Sequence, residues 1–145
     1  LLFPECFIEN ALNKHKLAEV IFYDDTRRGQ LNNIVHPRVK ERLEDIIEDS
    51  LFEEYIFIEV PLLYEAGYED LFNYIIVVYV SLEKQIERLV SRDNISEGYA
   101  KKKIASQMLL EEKIKLADFT INNNNSIIDT TRQLYLILER MGIVL

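Results

Sequence analysis

A single cysteine, Cys6, stands in the whole chain, so no intramolecular disulfide can form and no zinc cluster can be built from thiolates. A reducing, cytoplasmic setting is the natural expectation. Glycine and proline are scarce, four and three residues among 145, while 48% of the chain is apolar. This composition disfavours disorder, and one ordinary domain with a real core is expected. The glycines, Gly29, Gly67, Gly98 and Gly142, are too dispersed for a phosphate-cradling loop. Neither Gly-x-x-x-x-Gly-Lys-Ser/Thr nor Gly-x-Gly-x-x-Gly occurs. With two histidines, no Gly-x-Ser-x-Gly elbow and no His-Glu-x-x-His helix, no nucleophile constellation survives either.

Long hydrophobic runs are also lacking. Tyr74 to Val80, seven residues, is the longest and cannot cross a bilayer. The opening Leu1-Leu2-Phe3-Pro4 has neither the basic flank nor the apolar length of a signal peptide. It also lacks an initiating methionine, so the chain is expected to be a piece of a longer protein. The net charge of -8 opposes binding to nucleic acid or anionic membrane, and neither partner is expected. Residues 81 to 117 nevertheless carry eight Lys or Arg against six Asp or Glu, so an anionic ligand should meet this segment.

Apolar spacing organises the rest. Leu17, Val20 and Ile21 form one helical face, and Asp24 and Asp25 offer N-caps for a segment with Leu31, Ile34 and Val35. Pro37 is expected to stop that segment and to begin the next helix, whose face is Val39, Leu43, Ile46 and Ile47. Tyr55 to Val60 and Tyr74 to Val80 are β-branched apolar runs, as expected of parallel strands buried on both faces. Ser81 can cap a helix bearing Leu82, Ile86, Leu89 and Val90, and a second helix is expected from Glu97 to Leu110. Phe119-Thr120-Ile121 reads as a short strand. Ser126 and Asp129 form a capping box for a last helix, with Ile127, Ile128, Thr131, Leu134, Tyr135 and Leu138 as its buried stripe. This order is that of a parallel α/β sheet.

Individual motifs are modest signals. His36-Pro37-Arg38 can bind an anion at a helix start, although a helix boundary with a solvated arginine is the simpler reading. Pro61-Leu62-Leu63-Tyr64-Glu65 follows a strand candidate at its carboxyl end, where open α/β sheets place ligands; a loop covering the sheet edge is the equal alternative. Glu59 can assist a hydrated Mg²⁺ or be incidental. Arg92-Asp93 closes the helix after the second long run, and Lys101-Lys102-Lys103 can supply a basic flap over polyphosphate or a solvated face. Asn122 to Asn125 can read a base edge or simply form a turn.

The ordered set is far more specific than its members. Leu31-Asn32-Asn33-Ile34-Val35-His36-Pro37-Arg38-Val39, Pro61-Leu62-Leu63-Tyr64-Glu65, Arg92-Asp93, Gln107 and Ala117-Asp118-Phe119-Thr120-Ile121-Asn122-Asn123-Asn124 together resemble the dephospho-CoA kinase family over nearly the whole chain. That resemblance implies the P-loop NTPase fold of the nucleoside-monophosphate-kinase type, lacking its N-terminal P-loop unit. It implies ATP as co-substrate with Mg²⁺, dephospho-CoA as acceptor, and CoA as product. Residues 1–53 become a helical substrate region, 54–93 and 113–145 the parallel core, and 94–112 a lid. By the same resemblance His36, Pro37 and Arg38 belong to the CoA side, and Leu62, Leu63, Tyr64 and Glu65 line the loop facing the substrate. Arg92 approaches the ATP phosphates and is the implied catalytic residue. Gln107 closes over ATP, Asn123 and Asn124 lie beside the adenine, and no residue is implied as a metal ligand.

Asn125 stands where the family usually has glycine, and asparagine is expected to keep a left-handed turn. By the resemblance, the Gly-rich loop and the acidic residue that serves the family as catalytic base are not among these 145 residues, so the chain alone is expected not to turn over. Another small-molecule P-loop kinase and a non-catalytic nucleotide- or protein-binding α/β module are the alternatives.

Overall fold

The computed structural model describes residues 2–143 and divides the chain into two compact units, Leu1–Ile58 and Glu59–Leu145. In the first unit a hairpin joins β1 (Phe7–Ile8) to β2 (Ala11–Leu12). Its turn residues Glu9 and Asn10 both have positive φ, 48° and 64°, the combination that matches the twist of a two-residue hairpin loop. Helix α1 (Lys14–Tyr23) begins where the Asn13 side chain accepts the Lys16 N–H, and α2 (Asp25–Asp49) begins the same way at Asp24 and Arg27. Arg27 then fastens the chain start to α2. It lies over the Phe3 ring at 4.8 Å, pairs with Glu5 at 2.5 Å and donates to the Leu2 carbonyl.

Pro37 does not divide α2 as expected. The helix runs through it from Asp25 to Asp49. Proline removes only the bond to the Asn33 carbonyl, and flanking turns of this length hold the backbone helical across that loss. Leu43 is the buried member of the expected face.

The stretch between α2 and the next helix brings a correction. Tyr55 to Val60, which spans the boundary between the two units, belongs to no strand, and Tyr55, Ile56 and Phe57 are exposed. An apolar run becomes a strand only when a neighbour takes its N–H and C=O groups, and none does so among the described residues. Short helix α3 (Leu63–Ala66) ends at Gly67, whose φ of 69° permits a closing pair of bonds, Tyr68 N–H to Leu63 and Gly67 N–H to Tyr64.

Strand β3 (Ile76–Tyr79) is followed by α4 (Leu82–Asp93), α5 (Glu97–Ala105), α6 (Leu110–Leu116), β4 (Phe119–Asn122) and α7 (Ile127–Arg140). β3 and β4 pair in parallel with Val77 opposite Thr120 and Tyr79 opposite Asn122. The sheet is covered on one side rather than both: Val77 and Ile121 are buried, whereas Val78 is 53% exposed. Ser81 caps α4 and Ser126 caps α7, accepting from Lys84 and Asp129 respectively.

The helix expected from Glu97 to Leu110 is shorter: α5 ends at Ala105, and α6 begins only at Leu110. The Ser106 hydroxyl bonds back to the Lys103 carbonyl, and the Met108 N–H leaves the helical ladder for the Glu65 carboxylate. On α7 the expected buried stripe is also revised. Of that stripe Ile127, Ile128, Thr131, Leu134 and Tyr135 are exposed and Leu138 is buried, together with Ile137, which the stripe did not include. Gln133 sets that face by accepting the Asn122 N–H at 2.8 Å and donating to the Asn122 carbonyl at 2.9 Å. Among the described residues no helix is long and apolar enough to cross a membrane.

Candidate active site

The carboxyl ends of β3 and β4 bring two loops together. Asn123 continues the ladder by donating its N–H to the Tyr79 carbonyl at 2.8 Å. Asn124 Oδ1 accepts the Ser81 N–H at 2.9 Å, and its amide nitrogen donates to Asn122 Oδ1 at 2.7 Å. Asn124 Oδ1 therefore ties the loop to the start of α4, while its amide nitrogen braces the loop on Asn122. Asn123 Oδ1 accepts from the Thr130 hydroxyl. Asn125 is absent from the positive-φ residues, so the turn needs no glycine-like geometry there.

Helix α4 carries Lys84, Arg88 and Arg92 at intervals of four, which places them along one helical face. The Lys84 ammonium donates to the Asn124 carbonyl, and Arg88 Nη2 donates to the Asn123 carbonyl at 3.0 Å. Two cations thus rest on the loop that follows β4.

A cleft of about 790 Å³ opens beside this face, with Pro61, Arg88, Arg92, Lys103, Ile104 and Gln107 among its walls. Arg92 and Gln107, singled out in the sequence, share it. Arg88 and Lys103, which were not singled out individually, share it too. Arg88 was legible from its four-residue spacing to Arg92. Lys103 was masked by its neighbours in the lysine run, of which Lys101 pairs with Glu97 at 2.6 Å on the exposed face.

Asp93 organises the cations. Its carboxylate accepts from Arg92 Nε at 2.7 Å and Nη2 at 3.3 Å, and from Lys103 Nζ at 2.7 Å. These bonds, Arg92's first, hold the Asp93 carboxyl far below the ordinary range, and the same partnership raises Arg92. Asn94, with φ of 51°, ends α4 immediately after this knot.

Glu65 lies on α3, and its Oε1 accepts from the Met108 N–H at 3.0 Å and from Lys113 Nζ at 2.6 Å. Tyr64 is buried, with burial and the neighbouring Asp118 raising its hydroxyl pKa. Leu62 is exposed and Leu63 half-buried. His36, Pro37 and Arg38 sit on α2 in the other unit, where Arg38 pairs with Glu41 at 2.9 Å. A nearly apolar hollow along exposed α7, about 480 Å³, has no such gathering of cations and offers nothing for phosphate chemistry.

Several cations, an amide and a loop at the carboxyl edge of a parallel sheet form a place for a ligand with many anionic oxygens. No group of three or more His, Cys, Asp or Glu side chains that could hold a metal occurs among the described residues.

The fold and cleft define an α/β phosphotransferase of the P-loop NTPase class, although these 145 residues contain no Gly-rich phosphate loop. A Thermus thermophilus protein of known structure, TT1252, superposes with a TM-score of 0.79 at 31% identity, covering 97% of this chain and 73% of that one. The dephospho-CoA kinase from Campylobacter jejuni gives 0.63 at 29% identity, with the same shares covered. The family model for dephospho-CoA kinase matches residues 3–129. A dephospho-CoA kinase of Listeria monocytogenes is 42% identical over 134 residues, 91% of this chain and 67% of that protein. Its counterpart in Bacillus anthracis is 41% identical over 138 residues, covering 94% and 69%. The chain belongs to the dephospho-CoA kinase family.

Proposed function

We propose that the protein containing this chain transfers the γ-phosphoryl group of ATP to the 3′-hydroxyl of dephospho-CoA, giving coenzyme A and ADP. The observation that carries the reading is the convergence of Arg88, Arg92, Lys103 and Gln107 on one cleft at the carboxyl edge of the parallel strands. In the reaction the acceptor oxygen bonds to the γ-phosphorus as the bond to the ADP oxygen breaks, and the hydroxyl proton leaves to a base. Phosphoryl transfer draws its catalysis mainly from positioning and from charge around the transferring oxygens.

Arg92 supplies the catalytic charge, moving at least part of its fork from Asp93 to phosphate oxygens. Gln107 closes over ATP, and Asn123 and Asn124 border the adenine. His36, Pro37, Arg38, Leu62, Leu63 and Tyr64 serve the CoA side, with residues 1–53 as substrate region, 54–93 and 113–145 as core, and 94–112 as lid. Mg²⁺ enters with the ATP phosphates, and no residue here is assigned to hold it. The setting is cytoplasmic.

The 145 residues by themselves are proposed not to turn over, because they offer no Gly-rich row of N–H groups to cradle the β- and γ-phosphates. The experiment compares acceptors. The intact protein should use dephospho-CoA in strong preference to nucleoside monophosphates, and the isolated chain should use neither. Equal use of both acceptors by the intact protein would favour a general nucleotide kinase.

A further inference from the structure

Within the unit Glu59–Leu145, one carboxylate joins two stretches that are far apart in sequence. Glu65 follows the Pro61 to Tyr64 loop directly. Its Oε1 takes both the Met108 N–H, in the break between α5 and α6, and the Lys113 ammonium, on α6. The pair is largely enclosed, with the Glu65 and Lys113 side chains 19% and 13% exposed. Glu65 Oε2 is buried and has no protein partner. An enclosed carboxylate needs its counter-charge, and a broken helix needs an acceptor for its released N–H; Glu65 and Lys113 satisfy each other and the break together.

The position of that break matters. Gln107, immediately before Met108, lines the cleft, and so does Pro61, at the start of the loop that ends in Glu65. Fixing Met108 therefore fixes the backbone that presents Gln107, relative to the loop that carries Leu62 and Leu63.

We infer that Glu65 is a positioning residue that anchors the return root of segment 94–112 to the Pro61 to Tyr64 loop, so that seating of dephospho-CoA and closure over ATP are coupled. The inference rests on the functional reading above. Its carboxylate faces the protein's own amide and ammonium instead of the substrate, which departs from the role that family resemblance implies. Within segment 94–112 the Lys103 ammonium is bonded to Asp93, the residue just before the segment, so its middle is tied back to the end of α4.

Amide exchange on the 145-residue chain tests the anchor without any catalysis. Glu65→Ala should speed exchange of Met108 and of residues 94–112 by about 10- to 100-fold, the range for losing a hydrogen bond to a charged group. Glu65→Gln, which keeps an acceptor but no charge, should give a smaller rise. Amides of β3 and β4 should stay within about twofold in both variants. An unchanged Met108 amide, or equal acceleration in β3 and β4, would overturn the inference.

The coupling is read in the intact enzyme by titrating a non-hydrolysable ATP analogue with and without dephospho-CoA. Wild type should bind the analogue more tightly when dephospho-CoA is present, and Glu65→Gln should lose that tightening. If Glu65→Gln instead weakens dephospho-CoA alone and keeps the tightening, the carboxylate touches substrate and the inference fails. Should wild type bind neither ligand, the functional reading fails while the exchange measurement still decides the anchor.

Discussion

Gln133→Ala probes how a polar side chain on α7 completes the sheet beside the site. The wild-type amide replaces a neighbouring strand at the end of β4, accepting the Asn122 N–H at 2.8 Å and donating to its carbonyl at 2.9 Å. Truncation removes both bonds and leaves two half-buried backbone groups with only partial access to water. Each bond is worth about 0.5–1.5 kcal/mol net, and more where the abandoned group stays dry, so a loss of about 2 kcal/mol is expected. That corresponds to roughly a 30-fold shift in the unfolding equilibrium. Gln133→Glu keeps an acceptor but turns a carboxylate oxygen toward the Asn122 and Asp129 carbonyls, so it should be at least as damaging as alanine. Urea unfolding followed through the amide resonances of β3 and β4 measures both variants in the unit concerned. A change below about 0.5 kcal/mol in both, well under the value of one such bond, would refute this account of how α7 is seated.

Two further predictions follow from the cleft. In the intact enzyme, Arg92→Ala should lower kcat by on the order of 10²- to 10³-fold with a smaller effect on ATP binding, and Arg92→Lys should recover it only in part, because an ammonium lacks the planar fork. An unchanged kcat in the folded variant would remove Arg92 from the chemistry. Asp93 has its carboxyl pKa depressed by Arg92 and Lys103, so its contribution is present above the unfolded value of about 3.9 and is lost only as pH falls through the lower folded value. Carboxyl resonances should therefore show Asp93 still ionised when exposed carboxylates have protonated near pH 4, and a midpoint at pH 4 or above would contradict the knot.

The parts of the fold visible in the sequence are those decided locally. Asp24, Ser81 and Ser126 announce their helices because a cap needs only its own side chain and the next three residues. The misread elements are those decided by distant partners. Tyr55 to Val60 has the composition of a strand but no neighbour among the described residues to pair with, and the helix expected from 97 to 110 ends at Ala105, beyond which Glu65, 43 positions from Met108, takes the Met108 N–H. On α7, apolar residues occur on more than one face. The buried choice follows Thr130 and Gln133, polar residues bonded to Asn123 and Asn122, which an apolar periodicity cannot weigh. Of the site, Arg92 and Gln107 were singled out and do share a cleft, while Lys103 emerged only when α5 placed one lysine of three against Asp93.

The central claim is the reaction itself, and the most direct measurement is the product formed by the purified intact protein from ATP and dephospho-CoA. The account predicts one ADP released per molecule of acceptor consumed, with the new phosphate on the ribose 3′-oxygen, as phosphorus and proton resonances of the product would show. ATP consumption without a phosphorylated acceptor, or phosphate transferred to a different position or only to a different alcohol, would contradict it.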